Sequence, residues 1–204
     1  MPRPSFLLWD VGGVLLTDGW DHASRAGAMA HFRLDPVEFE RRHARVEVDF
    51  ETGRLDWNGY LDATVFHESR SFAREEFRDY MLAQSRAHPK AIEAARDLHE
   101  SGKFRMAVLN NESRELNEYR IRTFGLDSIF EDFFSSCYTG RRKPDPAAYQ
   151  LALSVTQYDP ADTLFLDDRP ENVSAAERLG MRSLRVEDPD RIREELAQLG
   201  VTAE

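Results

Sequence analysis

The stretch Phe6–Leu16, FLLWDVGGVLL, is an apolar run that ends on one carboxylate, Asp10, and continues at once into two glycines. Near-continuous apolar runs suit strands of a parallel sheet that is covered on both faces. Four more such runs follow: Phe104–Asn110 (FRMAVLN), Phe133–Thr139 (FFSSCYT), Thr163–Asp168 (TLFLDD) and Arg182–Val186 (RSLRV). Helical patterns separate them. One starts at Pro89 and stops before Gly102. Another has Ser113 as its N-cap and Gly125 as its C-cap. The last two start at Pro146 and at Pro170, the latter running to Gly180. Strand and helix alternating at this spacing predict βαβ units and a doubly wound α/β sheet.

Residues 17–86 break the alternation. They read as wholly helical, with apolar positions such as Phe32, Phe39, Val46, Leu61, Val65, Phe77 and Met81. So long a segment is not a simple loop. It is expected to be a small helical insert over one edge of the sheet, with the core formed by residues 1–16 and 87–204.

Bulk properties narrow the function. The 204 residues suit one domain with an insertion, and the 41% apolar content suits a packed core. A net charge of −10 argues against binding nucleic acid or anionic membrane by charge. No apolar run is long enough to span a bilayer, and no signal peptide is evident. The single cysteine, Cys137, rules out an intrachain disulfide and reads as a core residue. A cytoplasmic protein is the resulting expectation. Oligomeric state leaves no trace in the sequence.

Chemistry-bearing residues follow four of the strands. Asp10 follows the first, Asn110 and Asn111 end the second, Lys143 lies beyond the third, and Asp167 with Asp168 end the fourth. Each has an ordinary structural reading alone, as a cap, a turn or a surface cation. In an open parallel sheet, however, all strand C-terminal ends share one edge, where ligands bind. Acids, a lysine and amides gathered there make a site for a divalent cation and a phosphate.

The set WDVGGVLL, VLNNES, GRRKPDPAAYQLAL and LFLDDRPENVSAAERLGM resembles the haloacid-dehalogenase-like hydrolase superfamily in order, spacing and flanking residues. The resemblance implies a Rossmann-like core with a helical cap between the first and second motifs. It implies Asp10 as the nucleophile, forming an aspartyl-phosphate that water hydrolyses. Mg²⁺ would be held by Asp10, the Gly12 carbonyl and Asp168, with Asp167 and Asn172 behind them. Lys143 would neutralise the nucleophile and the phosphoryl oxygens. Gly12, Gly13, Asn110 and Asn111 would line the phosphate. The substrate would be a small phosphorylated metabolite, with sugar phosphates favoured by likeness to the Asp-x-Gly-x-Val branch.

Two departures stand out. Most family phosphatases place a second Asp two residues after the first, as general acid and then base; this chain has Gly12. Most carry Ser or Thr where this chain has Asn110. Asp18, Asp21, His22 and Glu51 are candidate proton donors. The departures also admit a phosphate-binding scaffold protein, or a metal-independent haloacid dehalogenase. Trp20 and Trp57 read as core aromatics, with stacking on a sugar ring as the alternative.

Overall fold

The computed structural model describes residues 3–204. In chain order the elements are β1 (Phe6–Trp9), α1 (His22–Phe32), α2 (Pro36–Glu51), α3 (Trp57–Thr64), α4 (Arg74–Ala83), α5 (Pro89–Glu100), β2 (Arg105–Asn110), α6 (Arg114–Thr123), β3 (Asp132–Ser135), α7 (Ser136–Thr139), α8 (Pro146–Thr156), β4 (Thr163–Asp167), α9 (Pro170–Arg178), β5 (Arg182–Arg185) and α10 (Ile192–Gln198). The five strands form one parallel sheet in the order β3-β2-β1-β4-β5.

β1 lies at the centre because both of its faces are apolar. Successive side chains of a strand point to opposite faces. Leu7 and Trp9 join Met106, Val108, Leu164 and Leu166 on one face, under Ala91, Ala94, Ala95 and Leu98 of α5 and Ile192 and Leu196 of α10. Phe6 and Leu8 join Ala107, Leu109 and Phe165 on the other, under Ala148, Tyr149 and Ala152 of α8 and Ala175 and Ala176 of α9. Alanines on these helix faces allow close approach to the sheet. Asp-Pro pairs start several helical turns: Asp35-Pro36, Asp145-Pro146 and Asp159-Pro160 each place proline in the first turn while the Asp side chain accepts a backbone N–H.

Helices α1 to α4 bury a core of their own. Met29, Phe39, Phe50, Leu61, Phe77 and Met81 are inside it, and Leu116 of α6 joins it to the rest. Trp20 and Trp57 also pack there. At its centre the Tyr60 hydroxyl accepts from Trp20 Nε1 and lies 2.8 Å from His43 Nδ1.

The strands are shorter than the sequence predicts, β3 by the most. The ladder of β3 with β2 ends at the Asn110–Ser135 pair, because β2 itself stops there. Ser136–Thr139, expected to continue the strand, winds into the single turn α7, which Gly140 closes in the left-handed region. The turn has a job at the site edge: the Ser136 hydroxyl donates to the Glu51 carbonyl and accepts from the Glu112 N–H. Cys137 is buried in this turn, and burial pushes its thiol up to about 12, so it stays protonated. Among the described residues no helix is long and apolar enough to cross a membrane.

Burial, reinforced by Arg25, lowers the His43 pKa to about 4. The imidazole is therefore neutral when folded. An unfolded histidine takes a proton near pH ~6.5, so between that pH and about 4 the unfolded chain binds more protons and stability falls as pH falls. Wild type should thus lose thermal stability relative to His43→Gln as the pH is lowered from 7 to 4. Melting curves across that window check it, and a constant gap would refute it.

Candidate active site

The four clusters named from the sequence meet at the C-terminal edge of the sheet. Asp10 leaves the end of β1, and its backbone N–H still bonds to Leu166 of β4. Its Oδ1 accepts the Val11 N–H at 2.7 Å and lies 2.8 Å from Lys143 Nζ. The same ammonium donates to Asp167 Oδ2 at 2.6 Å. Oxygens of Asp10, Asp167 and Asp168 all fall within 4.8 Å of one another. Asp10 and Lys143 lie on the wall of a cavity of about 430 Å³ between the sheet edge and α1–α2.

Each carboxylate is held differently. Asp167 is fully buried and engaged on every side, by Lys143, by the Asn172 amide and by the Arg169 N–H. Asp168 is more open, and its buried Oδ1 has no hydrogen-bond partner. Burial, together with Asp167 and Asp168, raises the Asp10 pKa to about 8 against the pull of Lys143. Burial, then Asp18 and Asp167, raise that of Asp168 to about 6. Burial opposes the charge on Lys143, but Asp10 and Asp167 outweigh it and hold its pKa above the ordinary lysine value. Three carboxylates against one ammonium leave two negative charges at full ionisation. A small divalent cation with oxygen ligands fits that charge and the unpartnered oxygen of Asp168.

The glycines after Asp10 make room for carboxylates. Gly13 has φ +69°, and a Cβ there would lie 2.5 Å from the Asp168 carboxyl carbon. A side chain at Gly12 would press on Asp18, its Cβ 3.3 Å from the Asp18 Oδ1. Gly12 lines the cavity.

Asn110 and Asn111, both expected at the phosphate, have hydrogen-bond partners of their own, and Asn111 lines the cavity. Asn111 clamps the Lys143 backbone: its Nδ2 donates to the Lys143 carbonyl and its Oδ1 accepts the Lys143 N–H, both at 2.8 Å. Its side chain therefore positions the lysine. The Asn110 amide is turned away from the cavity and donates to Asn117 Oδ1 at 3.1 Å. Strand alternation is the reason, since consecutive residues at a strand end face opposite ways.

Of the other residues on the cavity wall, Glu112, Arg120, His43 and Glu47 left no signal in the sequence. Glu112 and Arg120 form a buried ion pair at 2.9 Å, and Arg120 also donates to the Thr17 carbonyl. Glu51 pairs with Arg142 at 2.6 Å; burial nevertheless raises its pKa to about 7. Arg25, His43 and Glu47 line the upper wall beside Trp20 and Phe50. An isolated charged residue on a helix carries no mark of which wall it will face.

A family model for haloacid dehalogenase-like hydrolases matches residues 6–180. The chain belongs to this family. It is 29% identical over 168 residues to flavin mononucleotide hydrolase 1 of Arabidopsis thaliana, covering 79% of this chain and 65% of that protein. It is 27% identical over 179 residues to validoxylamine A 7'-phosphate phosphatase of Streptomyces hygroscopicus subsp. limoneus, covering 85% and 81%. A solved HAD family enzyme of Bacteroides thetaiotaomicron, in complex with magnesium and inorganic phosphate, shares the fold with a TM-score of 0.75 at 18% identity, covering 93% of this chain and 98% of that one.

The Asn111 clamp has a measurable consequence. Asn111→Ala leaves the Lys143 N–H and carbonyl without their partner and should cost about 1–3 kcal/mol. Urea unfolding of the two proteins checks it. A loss under ~0.3 kcal/mol would show that the clamp holds nothing, since net hydrogen bonds contribute more than that.

Proposed function

We propose that the chain is a Mg²⁺-dependent phosphatase that cleaves a small phosphorylated metabolite, a sugar phosphate above other classes, through an aspartyl-phosphate at Asp10. One observation carries the reading. A buried carboxylate stands at a strand end on the wall of a cavity, 2.8 Å from an ammonium and within 4.8 Å of two further carboxylates.

In this reading an Asp10 oxygen attacks phosphorus, the bond to the leaving oxygen breaks, and water later attacks the aspartyl-phosphate. Lys143 offsets negative charge on the nucleophile and on the phosphoryl oxygens. Asn111 fixes where that ammonium stands. Asp167, with Asn172 behind it, holds Lys143 from the far side. Asp10, the Gly12 carbonyl and Asp168 would hold the cation, with Asp167 supporting them. When bound, Mg²⁺ would neutralise the excess charge and polarise the phosphoryl group.

Helices α1–α4 serve as the cap in this proposal, closing the cavity over the sheet edge. Its upper wall is rich in polar groups, Asp21, His22, Arg25 and Glu47 among them, with Arg142 facing them from the core and Trp20 and Phe50 as the aromatic surface. That lining suits a compact polar molecule, and the volume lies within the usual range for small-ligand sites, about 300–1,000 Å³. The phosphatase relatives support phosphate esters as the substrate class.

Two readings compete, a phosphate-binding scaffold and a haloacid dehalogenase. The crowding of three acids around one lysine favours metal-assisted phosphoryl transfer over both. Hydrolysis of p-nitrophenyl phosphate should require Mg²⁺ and fall by about 10³-fold or more in Asp10→Asn. A panel of sugar phosphates and nucleotides, each referenced to that variant, should rank sugar phosphates first. Halide release without metal would favour the dehalogenase, and absence of any turnover the scaffold. Mg²⁺ should also raise the melting temperature of wild type and not of Asp168→Asn.

A further inference from the structure

A phosphate monoester that expels an alkoxide needs a proton at the leaving oxygen. The groups around Asp10 are poorly placed to give one: Lys143 bridges Asp10 and Asp167, and Asp167 is enclosed. Gly12 offers no side chain. Its backbone does not forbid one, because φ there lies outside the left-handed region, unlike that of Gly13. What borders the space is Asp18. A Cβ on Gly12 would lie 3.3 Å from Asp18 Oδ1 and 3.5 Å from Asp18 Cα. The carboxylate of Asp18 therefore stands in contact with the point where a side chain from position 12 would begin, on the wall of the same cavity as Asp10.

We infer that Asp18 is a catalytic residue, the proton donor to the leaving group and then the acceptor from water, standing in for a carboxylate at position 12. The inference rests on the phosphatase reading above. Of the four candidate donors, all on the cavity wall, Asp18 alone adjoins Gly12. Asp21 caps α1 through the Ser24 N–H, and Glu51 is paired with Arg142. His22 opens α1. Among the described residues the one charged partner of Asp18 is Arg169, at 3.8 Å, and its side chain keeps 34% exposure. The carboxylate is thus free to reach substrate.

Its backbone is not free. The Thr17 N–H donates to the Arg86 carbonyl, the Thr17 hydroxyl donates to the Gln84 carbonyl, and Arg120 donates to the Thr17 carbonyl. Gly19 follows with φ +77°, and a Cβ there would lie 3.3 Å from the Arg120 guanidinium. Arg120, anchored by Glu112, is the positioning residue for this loop.

The steps balance. As Asp10 attacks phosphorus, the P–O bond to the leaving group breaks and the Asp18 carboxyl proton passes to the departing oxygen. In the second step Asp18 takes a proton from water as that oxygen attacks phosphorus. The P–O bond to Asp10 breaks, phosphate leaves, and Asp18 is protonated again.

The test compares an alkyl phosphate, whose leaving group needs the proton, with p-nitrophenyl phosphate, whose leaving group does not. Asp18→Asn should lower turnover of glycerol phosphate by about 10²–10⁴-fold. With p-nitrophenyl phosphate it should keep a burst of one p-nitrophenol per enzyme, followed by slow turnover, because aspartyl-phosphate still forms and its hydrolysis loses the base. The Mg²⁺ dissociation constant, measured by calorimetry, should stay unchanged. The double variant Gly12→Asp/Asp18→Ala moves the carboxylate back to position 12 and should recover most of the lost turnover. Full activity of Asp18→Asn on the alkyl phosphate overturns the inference and leaves the phosphatase reading standing. So does an equal loss on both substrates with weakened Mg²⁺ binding, or a folded double variant with no recovery. Wild type inactive on both esters overturns both readings.

Discussion

The ammonium of Lys143 sits almost wholly out of water, between Asp10 and Asp167. A buried charge must be paired, and removing one partner of such a pair is strongly destabilising. Here the pairing is unequal by design of the site: three carboxylates converge where one cation is built in. The carboxylates hang from two neighbouring strand ends, Asp10 after β1 and Asp167 with Asp168 at the end of β4, and burial together with their crowding raises the pKa of Asp10 and of Asp168. The surplus negative charge makes the place attractive to a divalent cation and to a phosphoryl group bound through it.

The sheet makes that convergence obligatory. β1 and β4 are neighbours and end level with one another, Trp9 opposite Leu166, so Asp10 follows one strand just as Asp167 ends the other. Between these ends the loop after β1 turns on two glycines, and each absent side chain is matched by a carboxylate close by: Asp168 at Gly13 and Asp18 at Gly12. A larger residue at Gly13 would push Asp168 away from the cluster, and the positive φ there is a backbone requirement as well; at Gly12 an added side chain would only crowd Asp18.

The four-helix segment completes the cavity and is tied to the core by polar contacts as well as apolar ones. Ser136 bonds Glu51 of α2, Glu115 accepts the Trp57 N–H, and Arg142 pairs with Glu51. These contacts place α2 directly above the loop that carries Lys143. Charged groups of the helices and of the core thus share one wall, which gives the cavity its polar character.

The strand and helix order, the parallel sheet, the helical insert and the acids and lysine at the strand ends were all legible in the sequence. Those features are local: they depend on periodicity, on caps and on which residue ends each apolar run. Tertiary structure decided what each end residue faces. Asn110 and Asn111 are adjacent in sequence, yet one turns inward to Asn117 and the other grips Lys143. The expected strand through Thr139 stops at Ser135 because its neighbour β2 has already ended. The nearness of Asp18 to Gly12 depends on how Arg86, Gln84 and Arg120 pin the loop from distant parts of the chain. Contacts of that range are fixed only when the whole sheet has folded, so no window of residues around Asp18 contains them.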